Sequence, residues 1–194
     1  MRAAKIERKT AETDIKVSLT LDGGGKADVD TPLNFLDHML DSLARHSGFD
    51  ITVKASGDTD VDDHHLVEDL GICLGQAIDE ALGDKRGIAR MAHSIVPMDD
   101  ARAEVALDLS GRPYAVIDLP FSQFEERRAG YVSKENIEHF LESLALNGRF
   151  NLNVKVEGKN DHHKVEAAFK ALAKALKEST AIVGDDIPST KGSI

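Results

Sequence analysis

Apolar residues along this chain follow two rhythms that switch and then repeat. Residues 5–9 and 14–21 alternate, with Ile15, Val17, Leu19 and Leu21 on one side, the period-two pattern of half-buried strands. Over residues 34–46 the period lengthens. Phe35, Leu36, Met39, Leu40 and Leu43 fall at helical spacing, and Gly48 follows as a stop signal. A short alternating run, 49–54, separates this helix from a second one over 64–82, where Leu66, Val67, Leu70, Leu74, Ile78 and Leu82 mark one face before Gly83. Strand-like alternation then begins again at 91–96 and 103–109.

The second half repeats the first. Asp37-His38-Met39-Leu40-Asp41-Ser42-Leu43-Ala44 aligns with Glu138-His139-Phe140-Leu141-Glu142-Ser143-Leu144-Ala145. Phe49-Asp50-Ile51-Thr52-Val53-Lys54 continues the register against Phe150-Asn151-Leu152-Asn153-Val154-Lys155, and Gly57 meets Gly158. Each half reads strand, strand, helix, strand, helix. This predicts an α+β fold made by internal duplication, with two sheets of the four-stranded type whose helices cover one face and pack together. The seam lies at Gly83-Asp84-Lys85-Arg86-Gly87, giving half-repeats over 1–86 and 87–183. Residues 184–194, rich in Gly, Pro, Ser and Thr, are expected to form an irregular tail that contributes to the site.

Composition narrows the function classes. With 194 residues and 41% hydrophobic content the chain can bury a core, and its net charge is −10. Neither a basic tail nor a basic stripe is visible, which argues against nucleic acid or an anionic membrane as partner. No stretch approaches ~18 consecutive apolar residues, and Met1 leads into Arg2-Ala3-Ala4-Lys5 without an apolar segment. A cytoplasmic location is therefore expected. The single cysteine, Cys73, lies in an apolar helical run and reads as a core residue.

Histidine brings in the chemistry. Four of the 8 histidines form two doublets in matching strings, Asp63-His64-His65-Leu66-Val67-Glu68 and Asp161-His162-His163-Lys164-Val165-Glu166. Random placement gives roughly 0.3 doublets, so composition does not account for them. On a helix, positions four apart lie about 40° from one another and neighbours about 100°. His64 with Glu68, and His162 with Glu166, can each chelate one ion, whereas His65 and His163 point toward another. His38 and His139, equivalent in the repeat, add one imidazole each. A pseudo-twofold then gives His64, Glu68, His139 and His163 to one ion and His38, His65, His162 and Glu166 to the other. Three imidazoles and one carboxylate leave positions open on an octahedral ion, which suits Mn²⁺ or Fe²⁺; zinc is the competing choice. A lone histidine at a helix start would more readily cap or pair with Asp63 or Asp161, but the duplicated string with its repeated upstream histidine favours ligation. His46 and His93 lack histidine partners in the repeat and read as packing or surface residues.

These strings, with Arg8-Lys9-Thr10-Ala11-Glu12-Thr13, Gly87-Ile88-Ala89-Arg90, Leu109-Ser110-Gly111-Arg112-Pro113 and Pro188-Ser189-Thr190-Lys191-Gly192, resemble those of the imidazoleglycerol-phosphate dehydratase family from end to end. The resemblance implies metal-dependent dehydration of D-erythro-imidazole-glycerol phosphate to imidazole-acetol phosphate in histidine biosynthesis. It implies two Mn²⁺ per active site, a metal-stabilised imidazolate/diazafulvene intermediate, and a homo-oligomer of 24 subunits with active sites at their interfaces. Glu12, Glu68 and Glu166 become catalytic candidates by that resemblance; from spacing alone Glu12 reads as a strand-edge surface residue. Arg90, Arg112, Lys170, Ser189 and Lys191 match positions resembling a phosphate clamp. Ser42 stands where the family commonly has Gln, and Asp100 where Glu is usual. A dinuclear metallohydrolase of a small phosphate-bearing substrate is the alternative enzyme class, although such sites lean more on carboxylates. A metal-storage or metal-structured assembly protein is the non-catalytic alternative.

Overall fold

The computed structural model describes residues 1–121 and 132–194, and alternation at both starts of the repeat folds as hairpins. In chain order the elements are β1 Ala3–Lys9, β2 Thr13–Thr20, β3 Ala27–Asp30, α1 Asn34–Ser47, β4 Asp50–Gly57 and α2 His64–Leu82. The second series is β5 Met91–Met98, β6 Ala101–Asp108, β7 Tyr114–Asp118, α3 Lys134–Asn147, β8 Asn151–Glu157 and α4 Asp161–Ser179. Both series build a four-stranded sheet, in the orders β1-β2-β4-β3 and β5-β6-β8-β7.

Within each sheet the first three strands pair antiparallel, and the fourth runs parallel to its neighbour. Alternation of apolar residues does not locate these fourth strands. β3 and β7 are short edge strands whose residues are mostly exposed or half-buried, so no inward apolar row marks them. The central strands do carry that row: Ile15, Val17, Leu19, Ile51 and Val53 in the first sheet, and Ala103, Val105, Leu107, Leu152, Val154 and Val156 in the second, are buried.

Helices join the halves. α2 lies on β1 and β2 and packs against α3, while α4 lies on β5 and β6 and packs against α1. Each helix–helix pair thus takes one member from each half. Leu36, Met39, Leu40 and Leu43 of α1 are almost wholly buried, each contributing about 1.5–3 kcal/mol by leaving water. Gly48 ends α1 in the left-handed region at φ 81° and donates its N–H to the Ala44 carbonyl. Cys73 is buried in α2, and burial pushes its thiol up to about 11.

The α2–α3 crossing is close because of two glycines one turn apart. A Cβ on Gly71 would lie 2.9 Å from the Phe140 carbonyl oxygen, and one on Gly75 would lie 2.6 Å from that of Leu144. Beyond α4 the chain folds back without helix or strand. Val183 donates to the Gly87 carbonyl at 2.7 Å and Gly87 donates to that of Asp186 at 2.8 Å, which lays the tail beside the start of the second half.

Candidate metal centre

The same two helix–helix crossings assemble two ligand sets. On α2, His64 and Glu68 stand one turn apart with Nε2 and Oε2 separated by 3.8 Å. His139 of α3 brings its Nε2 to 3.2 Å from Glu68 Oε1, and its ring stacks on that of His64 with centroids 5.0 Å apart. On α4, His162 Nε2 lies 3.3 Å from Glu166 Oε2, and His38 of α1 brings its Nε2 to 3.7 Å from the same oxygen. In each set one ligand atom per residue falls within 4.8 Å of the others.

The chemistry of both sets fits a divalent transition ion: two imidazoles and a carboxylate, with room for further ligands. An orphaned atom supports this. His139 Nε2 is buried yet has no hydrogen-bond partner, although it faces the Glu68 carboxylate. Around His64, Asn136 Oδ1 lies 3.1 Å from Nδ1, so Nδ1–H donates and the Nε2 lone pair is directed into the set. Around Glu166, burial raises the carboxyl, but the Lys170 ammonium at 2.7 Å and the nearby His38 and His162 outweigh it and hold it below its ordinary value.

His65 and His163 lie outside these sets in a single chain, as divergence of neighbouring helical positions requires. Both are braced alike. Asp58 Oδ2 lies 3.0 Å from His65 Nδ1, and Asp100 Oδ1 lies 2.6 Å from His163 Nδ1. Each Nε2 faces a carboxylate on the adjoining hairpin turn: Glu12 Oε1 at 3.9 Å from His65, Asp99 Oδ2 at 3.4 Å from His163. The Asp58 bond raises the His65 pKa, aided by the charge of Glu12 against some desolvation. The His163 bond, with the backbone N–H groups of Asn160 and Lys159, holds Asp100 well below the usual carboxylate range.

The clamp residues divide into two places. Arg90 forks onto Asp108 at 2.7 and 3.0 Å and reaches the Pro188 carbonyl at 2.7 Å, pinning the tail that carries Ser189 and Lys191. Gly111 meets the C-terminal residue Ile194, so exposed Arg112 adjoins the same tail. Lys170 instead contacts Glu166 and Met98, beside the second ligand set. Ser42 Oγ is buried without a partner. His46 and His93 are exposed. Sequence reasoning did not single out Asn136, Asp58 or Asp99. Contacts made across elements single them out, and only the position of Asp99 in a two-residue turn beside an aligned hairpin offered a sequence signal.

Comparison with known proteins now decides the family. Residues 31–176 match the family model described as imidazoleglycerol-phosphate dehydratase. The chain belongs to that family. It is 55% identical to the imidazoleglycerol-phosphate dehydratase of Methanothermobacter thermautotrophicus over 194 residues, covering 100% of this chain and 98% of that protein. The enzyme of the same name from Methanococcoides burtonii is 52% identical over 192 residues, with 99% of both chains covered. Among solved structures, the IGPD of Pyrococcus furiosus superposes with a TM-score of 0.84 at 38% identity, covering 97% of this chain and 100% of that one. The imidazoleglycerol-phosphate dehydratase of Staphylococcus aureus gives 0.81 at 31% identity, covering 93% and 99%. Membership in this dehydratase family makes the protein an enzyme, a carbon–oxygen lyase, and sets aside the hydrolase and storage alternatives.

Proposed function

We propose that the protein dehydrates D-erythro-imidazole-glycerol phosphate to imidazole-acetol phosphate in cytoplasmic histidine biosynthesis, using two Mn²⁺ per active site. The observation that carries this reading is the pair of imidazole–carboxylate sets, each assembled from both halves of a chain in the dehydratase family. His64, Glu68 and His139 would hold one ion and His38, His162 and Glu166 the other, with His163 and His65 as the respective fourth ligands. Because His65 and His163 point away from these sets, they are offered to neighbouring subunits, which fits a homo-oligomer of 24 with shared active sites. When bound, the ions supply Lewis acidity toward an azole and a template for it.

The chain's own residues do the rest. Glu12, on the hairpin turn facing His65, takes the carbon-bound proton and contacts the substrate hydroxyls. The tail carrying Ser189 and Lys191, with Arg90, Arg112 and Lys170, receives the phosphate through cations and hydroxyl donors in an otherwise acidic protein. Arg90, committed to Asp108 and Pro188, also holds the tail in place.

The test is turnover by Mn²⁺-loaded protein given imidazole-glycerol phosphate, read as ketone through the alkaline absorbance of its enolate. Product formation supports the reading; no product from protein with its metal bound contradicts it.

A further inference from the structure

The turn that carries Glu12 is tied to α2 by a chain of hydroxyls ending on one buried carboxylate. Thr10 Oγ1 accepts from the backbone N–H of Glu12 at 3.0 Å and of Thr13 at 2.9 Å. Those two bonds occupy both of its lone pairs, so its own O–H must be donated. Thr13 Oγ1, 3.2 Å away, is the acceptor, and the Thr13 proton therefore passes on to Asp69 Oδ2 at 2.6 Å. Arg8 Nε fills the other oxygen, Oδ1, at 2.8 Å. The Glu12 carbonyl is fixed separately by the N–H of Asp58 at 3.2 Å.

The direction of every bond in this chain follows from its end. Two donors converge on Asp69, one on each oxygen, a pattern that a carboxylate accepts and a carboxamide cannot match. Asp69 is buried and sits next to Glu68 on α2, so the chain sets the height of the Glu12 turn against the helix that presents His64 and His65. Among the described residues the second half has no such device. Ala167 occupies the repeat position of Asp69, and β5 turns into β6 through Asp99 and Asp100 alone. The network thus stands on the side where Glu12 is placed, and the described residues of the other side show no counterpart.

We propose that Asp69 is a positioning residue for catalysis, acting on Glu12 through Thr13 and Thr10. The proposal rests on the reading of Glu12 as the proton-transfer group. Misplacing such a group by about 1 Å costs about 10²-fold in rate, which sets the size of the effect.

Asp69→Asn leaves one acceptor for two donors and inserts an N–H, reversing the Thr13 bond. In the Mn²⁺-loaded full chain, kcat falls at least about tenfold while KM stays within about threefold and metal content is unchanged. Thr13→Val, which removes the hydroxyl and keeps the shape, reproduces the loss and carries the test if Asp69→Asn does not fold. Thr13→Ser restores kcat. Combining Asp69→Asn with Thr13→Val lowers kcat no further than either alone, because both break one chain. A lowered melting temperature with kcat within twofold of the parent makes Asp69 a purely structural anchor and overturns the proposal. Loss of metal from Asp69→Asn overturns it as well, since the effect then runs through Glu68. Glu12→Gln is measured alongside: parental kcat in that variant overturns the Glu12 reading itself, whereas a large loss there with an unaffected Asp69→Asn overturns only the positioning role.

Discussion

At the first ligand set, His64 rests its Nδ1 on the Asn136 side chain; at the second, the matching ring of His162 meets Phe35 edge-on, with centroids 5.3 Å apart. Phe35 and Asn136 are repeat equivalents, two residues before the strings that carry His38 and His139. The carboxylates differ in the opposite sense. Glu166 has Lys170 one turn along α4 at 2.7 Å, while the position equivalent to Lys170 on α2 is Ile72. The crossings differ too. Gly71 and Gly75 bring the α3 backbone against α2, whereas Phe169 and Ala173 stand at those places on α4. Duplication has kept the ligands in place while the groups that steady them diverged. One set is steadied through an imidazole and a tight crossing, the other through the charge beside its carboxylate.

Removing a ligand from either set tests what they share. His64→Ala and His162→Ala should each lower turnover by about 10³-fold, equivalent to the several kcal/mol a bound Lewis acid contributes, and should lose metal to a similar extent. Metal content by atomic spectroscopy checks this; one variant keeping both ions would break the equivalence. The steadying groups test what they do not share. Asn136→Ala should weaken metal binding at the first set by about 10- to 100-fold, the usual effect of removing a partner that orients a ligating histidine. Phe35→Leu should change the second set by less than about threefold, since no hydrogen bond is lost; competitive chelator titration separates the two.

Gly75→Ala probes the crossing. Its Cβ would come within 2.6 Å of one backbone atom and 2.7 Å of another, neither of which belongs to a flexible side chain. Overpacking of this kind costs about 1–3 kcal/mol, visible as a lowered melting temperature, and it should be accompanied by weaker metal retention at the first set only.

The smallest effect concerns pH. Glu166 is held below its ordinary value of 4.5 despite burial, chiefly by the hydrogen bond and charge of Lys170. A depressed carboxylate contributes its stabilisation above that ordinary value and loses it as pH falls through the lowered pKa. Lys170→Gln removes the depressing partner and leaves burial, so acid-induced metal loss from the second set should move to higher pH. A metal-retention titration in the variant that overlays the parent would remove Lys170 from the account of Glu166.

Much of this was legible in the sequence because the repeat and the helical period act together. His64, Glu68, His162 and Glu166 follow from spacing on one helix each, and His38 and His139 from alignment of the halves. The inward rows of β2 and β6 are plain from alternation. β3 and β7 were not individually legible, because edge strands with mostly exposed residues carry no apolar rhythm. The contacts of His64 with Asn136 and of Thr13 with Asp69 join residues far apart in sequence, so no local spacing announces them. The bracing of His65 by Asp58 crosses only a loop, yet the loop's shape decides it.

Anomalous diffraction at the manganese edge from crystals of the Mn²⁺-loaded protein tests the central claim most directly. The account predicts two peaks per chain, one among His64, Glu68 and His139 and one among His38, His162 and Glu166. A single peak per chain, or peaks away from both crossings, would contradict it.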